Sequence, residues 1–156
     1  MPCSPLTTEI GWRGRFGGSL GDIAAASDWL EGIAVGLKLS GETTFAMQVC
    51  LEEVMSNIAR HGKVDRLSTP RSIEAEADDP LSILVDIDVF DDRIFMTIED
   101  NGRPFDLAKA PAKVVDKPLE EVRPGGLGIH LIKTFSRSIE YRRTDAGNRV
   151  TLDFRR

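Results

Sequence analysis

Glu53, Asn57 and His61 stand four residues apart in the segment Leu51-Glu52-Glu53-Val54-Met55-Ser56-Asn57-Ile58-Ala59-Arg60-His61-Gly62. In a helix that spacing sets them one above another on a single face. A carboxylate and a carboxamide one turn apart suit a hard cation such as Mg²⁺, which takes oxygen ligands and keeps several waters. The same carboxylate could orient a water or a hydroxyl as a general base. The face lies about a quarter turn from the apolar stripe Leu51–Val54–Ile58, so it is expected at the edge of a core, where a cleft can form. A solvated helix face remains the plain alternative on spacing alone.

Two further segments carry chemistry. In Ile98-Glu99-Asp100-Asn101-Gly102-Arg103-Pro104-Phe105-Asp106 an apolar strand ends abruptly in acid, with a glycine two residues after Asp100. A strand-end carboxylate can accept a hydrogen bond from a ligand amine, and Gly102 lets the backbone approach closely. In Arg123-Pro124-Gly125-Gly126-Leu127-Gly128-Ile129-His130 glycines run into a helix, so backbone N–H groups and the positive end of the helix dipole can face an anion. That run lacks the Lys-Ser/Thr of a Walker A loop and does not follow a strand, as a dinucleotide fingerprint must. The Gly14–Gly21 region looks like a glycine-rich kinase loop, but no Val-Ala-Ile-Lys or His-Arg-Asp segment follows it. The only histidines are His61 and His130, and without cysteine partners they make a poor zinc set. Ser4, Ser56 and Ser136 have no evident base nearby in sequence, so no hydrolase triad is argued.

The elements that must position these residues are legible from periodicity. Ile10, Trp12 and Phe16 alternate through a first strand, Thr8–Phe16, broken by Gly17-Gly18. Ser19 or Asp22 caps a helix running to about Leu37, with Ile23, Ala26, Leu30, Ile33 and Leu37 as its stripe. A second helix starts after Ser40, runs to about Arg60 with Met47, Leu51, Val54 and Ile58 inward, and stops at Gly62. A polar connection over 62–80 contains Pro70, Pro80 and the acidic run Glu74–Asp79. A hairpin follows, Leu81–Phe90 and Arg93–Glu99, turning at Asp91-Asp92. A second connection, 101–125, holds four prolines and leads to a helix over Leu127–Phe135. Ser138–Arg143 and Arg149–Phe154 close the chain as a hairpin around Asp145-Ala146-Gly147-Asn148. Hairpin strands with helices between them predict a two-layer α/β sandwich: a mixed, mostly antiparallel sheet with helices on one face.

The 156 residues suit a single domain, expected to span 1–156 with about 8–154 structured. With 41% apolar and 29% charged residues the composition is that of a globular chain. Twenty Lys+Arg against 25 Asp+Glu give a net charge of −5, which argues against a direct nucleic-acid binder. No stretch reaches the ~18 apolar residues of a membrane span, so no membrane partner is expected. The N-terminus has no secretory pattern, and the expected location is cytoplasmic. Cys3 and Cys50 are too few for a disulfide framework, and Cys50 reads as a small buried hydrophobe.

Taken in order, the three segments resemble the GHKL superfamily of ATP-binding domains, the histidine-kinase-like ATPases with the Bergerat fold. Within it they are most similar to the anti-sigma-factor serine/threonine kinases, over about Thr8 to Phe154. The resemblance implies ATP and Mg²⁺ as ligands. Glu53-x-x-x-Asn57 looks like the N box, which makes Glu53 the catalytic acidic residue that activates the attacking hydroxyl and Asn57 the Mg²⁺ ligand. Arg60 stands where related histidine kinases often place a phosphate-reaching Lys. Asp100-x-Gly102 looks like the box whose Asp bonds the adenine amino group, and Pro104-Phe105-Asp106 after it is similar to the anti-sigma branch, putting Phe105 among the nucleotide-binding residues. Gly125-Gly126-Leu127-Gly128 resembles the second glycine box, at the hinge of an ATP lid spanning about 107–126, with Arg123 able to meet the phosphates. The connection 62–80 looks longer than in the compact members of that branch.

The resemblance implies an ATP-binding anti-sigma factor with protein serine/threonine kinase activity. Its partners would be a sigma factor and a STAS-domain antagonist, which it would phosphorylate in a partner-switching system, and it would form a homodimer. The alternative is a nucleotide-binding anti-sigma or regulatory module without kinase activity. The ATPase half of a split histidine kinase is a third reading, since 156 residues leave no room for a phosphoacceptor domain as well.

Overall fold

The structure is a computed structural model that describes residues 10–62, 81–107 and 126–156. The element order is β1 (Ile10–Phe16), α1 (Leu20–Gly36), α2 (Gly41–His61), β2 (Ile83–Val89), β3 (Arg93–Asp100), α3 (Gly126–Phe135), β4 (Ser138–Arg143) and β5 (Asn148–Arg155). The expected elements are all present. The expectations for Thr8, Cys3, residues 63–80, Arg123 and Gly125 fall outside the described residues.

The strands form one sheet in the order β1-β2-β3-β5-β4, and each of its four pairings is antiparallel. Strict alternation explains the layering. Along β2 and β3 the residues Ile83, Val85, Ile87, Val89, Ile94, Met96 and Ile98 are buried, while those between them are half-buried. The inner residues pack against helices. The outer face carries polar pairs such as Arg13 with Asp86 and Arg149 with Glu99.

Ser19 caps α1 by accepting from Asp22 N at 3.0 Å, and Asp22 accepts in return from Ser19 N, a reciprocal capping box. Its stripe is inward as expected, with Ala26, Leu30 and Ile33 buried and Ile23 and Leu37 packed against the core. Ser40 caps α2 by accepting from Thr43 N. This helix lies between α1 and α3 and over the sheet, so its buried arc is wider than the expected stripe. Ala46, Cys50 and Met55 join Met47, Leu51, Val54 and Ile58 in the core. Cys50 is fully buried, and burial pushes its thiol up to about 12, with the charge of Glu53 adding to the effect. It is packing, not a nucleophile.

Gly62 ends α2 as expected, but in a right-handed conformation (φ −76°) and not the left-handed one usual for a terminating glycine. Space explains it: a Cβ there would come 2.5 Å from Ile58 O, and one on Gly102 would come 2.8 Å from Gly62 Cα. The pair of glycines lets the end of α2 touch the loop that leaves β3.

Candidate functional site

The last turns of α2 meet two other element ends: the exit from β3, where Gly62 lies against Gly102, and the first turn of α3, where Gly128 lies against Glu53.

Asp100 is the last residue of β3 and is only 7% exposed. Its Oδ1 accepts from Gly102 N at 2.8 Å and from Asn148 Nδ2 at 3.0 Å. Burial raises its pKa above the usual 3.8; the bonds from Asn148 and Gly102 and the charge of Arg143 work in the opposite direction. With Oδ1 engaged twice, Oδ2 is the oxygen outside these bonds. The surrounding cleft is lined by Ile58 and His61 of α2, Phe105 and Leu107 of the loop after β3, and Val150 of β5. A mostly apolar cleft with a fixed, partly desolvated acceptor among its lining residues offers the contacts that a flat heterocycle bearing an exocyclic amine needs.

Asn148 is the residue that sequence reasoning missed. Besides Asp100, its Nδ2 donates to Arg103 O at 2.6 Å, while its Oδ1 accepts from Tyr141 Oη at 2.7 Å and Arg143 Nη1 at 3.1 Å. Arg143 also donates to Gly102 O at 2.8 Å. The sequence pattern places Asn148 in the closing turn and starts β5 at Arg149. It is the first residue of β5 and pairs with both Asp100 and Arg143 across the sheet. Gly147 before it is tied to the same spot, since a Cβ there would overlap the Asp100 carbonyl.

On α2 the expected face divides by depth. Asn57 is 1% exposed, deeper than the core edge where the spacing places it. Its Nδ2 donates to Glu53 O at 2.8 Å, so the carboxamide oxygen is left outside that bond. That oxygen is the hard donor an Mg²⁺ ion takes, and it fits the expected ligand role. Glu53 is half-buried one turn earlier and faces Gly128, where a Cβ would overlap its Oε2. His61 is exposed but stacked flat on Phe105, with ring centroids 4.4 Å apart and planes 14° apart. Arg60 is exposed beside it. Among the described residues no group of three or more His, Cys, Asp or Glu could hold a metal ion by itself.

The helix α3 opens at Gly126, one residue before the expected Leu127, so Gly126, Leu127 and Gly128 form its first turn. Ile129 and Ile132 are buried and anchor it, while His130 is exposed. Leu107, the first residue of the expected lid, is 1% exposed and belongs to the core, and Gly126, its last, is helical. The residues between them lie outside those described.

This geometry agrees with what the chain resembles. The family described as histidine kinase-like ATPase domain matches residues 18–154. The serine/threonine-protein kinase BtrW of Bordetella bronchiseptica is 28% identical over 124 residues, which cover 80% of this chain and 79% of BtrW. The serine-protein kinase RsbW of Bacillus cereus is 25% identical over 115 residues, 71% of this chain and 64% of that protein. Among solved structures, the RsbU and RsbW domains of Rv1364c from Mycobacterium tuberculosis superpose with a TM-score of 0.61 at 11% identity. That match covers 94% of this chain and 32% of the solved one, and it is a likeness of fold.

Proposed function

We propose, from the premise that this chain belongs to the histidine kinase-like ATPase domain family, that it is an ATP-dependent protein serine/threonine kinase and anti-sigma factor. Its substrate would be a STAS-domain antagonist and its second partner a sigma factor. The names of its relatives support the kinase class, and the observation that carries the reading to this chain is the Asp100 node. A buried carboxylate at a strand end, held by Asn148 and Gly102 beside an apolar cleft, is what recognition of an adenine amino group requires.

The chain's own residues divide the work. Asp100 accepts from the exocyclic amine, and Ile58, Phe105 and Val150 exclude water from the ring faces. The Asn57 carboxamide oxygen would hold Mg²⁺, which when bound would offset charge on the phosphates. Backbone N–H groups at the start of α3, from Gly126 to Gly128, face the phosphates with the positive end of the helix dipole, and Arg60 and Arg123 add charge. Glu53 takes the proton of the serine or threonine hydroxyl as its oxygen bonds to the γ-phosphorus and ADP leaves. Positioning and charge stabilisation do most of the work in such a transfer. The phosphate added to the antagonist then weakens its hold on this chain by like charge and desolvation at the interface. A homodimer and a cytoplasmic setting complete the proposal.

Phosphotransfer from γ-labelled ATP to a purified STAS-domain antagonist tests it. The expected result is label on the antagonist with the wild type, and none with Glu53→Ala, while both proteins bind ATP. An antagonist left unlabelled by an ATP-binding wild type would replace the kinase with a nucleotide-binding anti-sigma module. Transfer at the wild-type rate in Glu53→Ala would remove Glu53 from the chemistry.

A further inference from the structure

Gly128 sits in the first turn of α3, inside a helix, where Ala is the better former and glycine costs backbone entropy. Its φ is not in the positive range, so no backbone conformation demands a glycine there. What the missing side chain supplies is room. A Cβ on Gly128 would overlap Glu53 Oε2, come 3.0 Å from Glu53 Cδ and 3.6 Å from Glu53 Cβ. The contact therefore runs along the length of the Glu53 side chain and is densest at the carboxylate.

Neither helix can withdraw to relieve such a clash. On one side Cys50, Val54 and Met55 of α2 are fully buried, and on the other Ile129 and Ile132 hold α3 in the same core. Asn57 Nδ2 is also bonded to Glu53 O, which fixes the backbone under the side chain. Only the Glu53 carboxylate is free to turn away. From this we infer that Gly128 is a positioning residue: its bare Cα is the seat of the Glu53 carboxylate, so the seating of the α3 first turn and the aim of the catalytic carboxylate are one event. This rests on the reading of Glu53 as proton acceptor. It gives Gly128 a part different from the phosphate approach that a glycine run at a helix start suggests by itself.

The two parts predict opposite splits. A glycine that makes room for phosphate, once changed to alanine, loses nucleotide affinity. A glycine that seats Glu53 loses turnover, and because alanine keeps the backbone N–H that faces the phosphates, affinity is kept. Gly128→Ala is therefore measured for ATP binding by calorimetry, for the kcat of phosphotransfer, and for thermal unfolding without nucleotide, in the wild-type and the Glu53→Ala backgrounds. The expected result is an ATP Kd within about twofold of wild type and a kcat reduced at least tenfold, the loss expected when an aligned proton acceptor is displaced. In unfolding, Gly128→Ala should raise the midpoint in the Glu53→Ala background, where only helix propensity changes, by at least about 2 °C more than in the wild type.

Tenfold weaker ATP binding with kcat retained would overturn the inference in favour of phosphate approach. Equal shifts in the two unfolding backgrounds would overturn it by removing the contact. A wild type that neither binds ATP nor transfers phosphate would instead overturn the proposed function. The unfolding cycle reports on the seat without nucleotide, so the two failures are told apart.

Discussion

Asn148 shows how one side chain can set the chemistry of another. Tyr141 Oη and Arg143 Nη1 both donate to its Oδ1, so the amide has one orientation, and Nδ2 must face Asp100 Oδ1 at 3.0 Å. Asn148→Asp would replace that donor with a second carboxylate in contact with the first. Two carboxylates at that distance share a proton, and the pair's upper pKa rises. The sign follows from linkage. A carboxyl whose pKa is raised on folding binds more protons in the native state, so stability is kept at low pH and lost as pH climbs through the raised value. Burial of Asp100 already leans this way, and the second carboxylate steepens it. His61 of α2, Arg103 after β3 and Arg143 of β4 also face the cleft or the pair, so the wild type measured over the same range is the reference. Urea unfolding of Asn148→Asp should show a deficit of about 1–3 kcal/mol near pH 8 that shrinks toward about pH 5. A deficit independent of pH would mean that Asn148 is packing and does not govern the protonation of Asp100.

At the scale of elements, α1 ends in a left-handed residue that is not glycine. Lys38 has φ 54°, with Lys38 N donating to Val35 O and Leu39 N to Ala34 O, the paired bonds of a Schellman motif. Lys38→Gly should stabilise the protein by about 0.5–1 kcal/mol, the relief of the Cβ clash less the entropy glycine adds to the unfolded chain. Denaturant midpoints at an unchanged m-value would check it, and a loss of stability would mean that the Lys38 side chain holds something glycine cannot. The helices and strands themselves were legible because each carries an apolar period of its own: Ala26–Leu30–Ile33 along α1, Met47–Leu51–Val54–Ile58 along α2, alternation along β2 and β3. Ends were less legible, since they are settled by partners elsewhere. Asn148 looked like turn because Gly147 precedes it, and it is strand because Asp100 and Arg143 pair with it. Asn57 reads as core edge because the period of its own helix does not report how deeply its neighbours bury it. The Glu53–Gly128 seat and the His61–Phe105 stack join residues on separate elements, and no local period encodes either.

For the whole molecule, the order of the sheet gathers the site. Because β5 enters between β3 and β4, the start of β5 lies beside the end of β3, and Asn148 reaches Asp100. Because Gly62 and Gly102 allow close approach, the end of α2 meets the same corner, bringing His61 against Phe105. Residue types along the chain pointed to Glu53, Asn57, Asp100 and Gly128. The fold joins Gly128 to Glu53 and sets the end of α2 against the exit from β3, and the central claim is that this side of the molecule binds Mg-ATP through Asp100 and Asn57. Calorimetric titration of Mg-ATP into the wild type, Asp100→Asn and Asn57→Ala tests it most directly, with unfolding curves to show that all three are folded. Binding by the wild type, weakened at least about tenfold in Asp100→Asn as expected for loss of a buried acceptor, and weakened in Asn57→Ala only when Mg²⁺ is present, is the predicted result. A folded, nucleotide-free wild type that takes up no Mg-ATP, or an Asp100→Asn variant that binds it as tightly as the wild type, would contradict it.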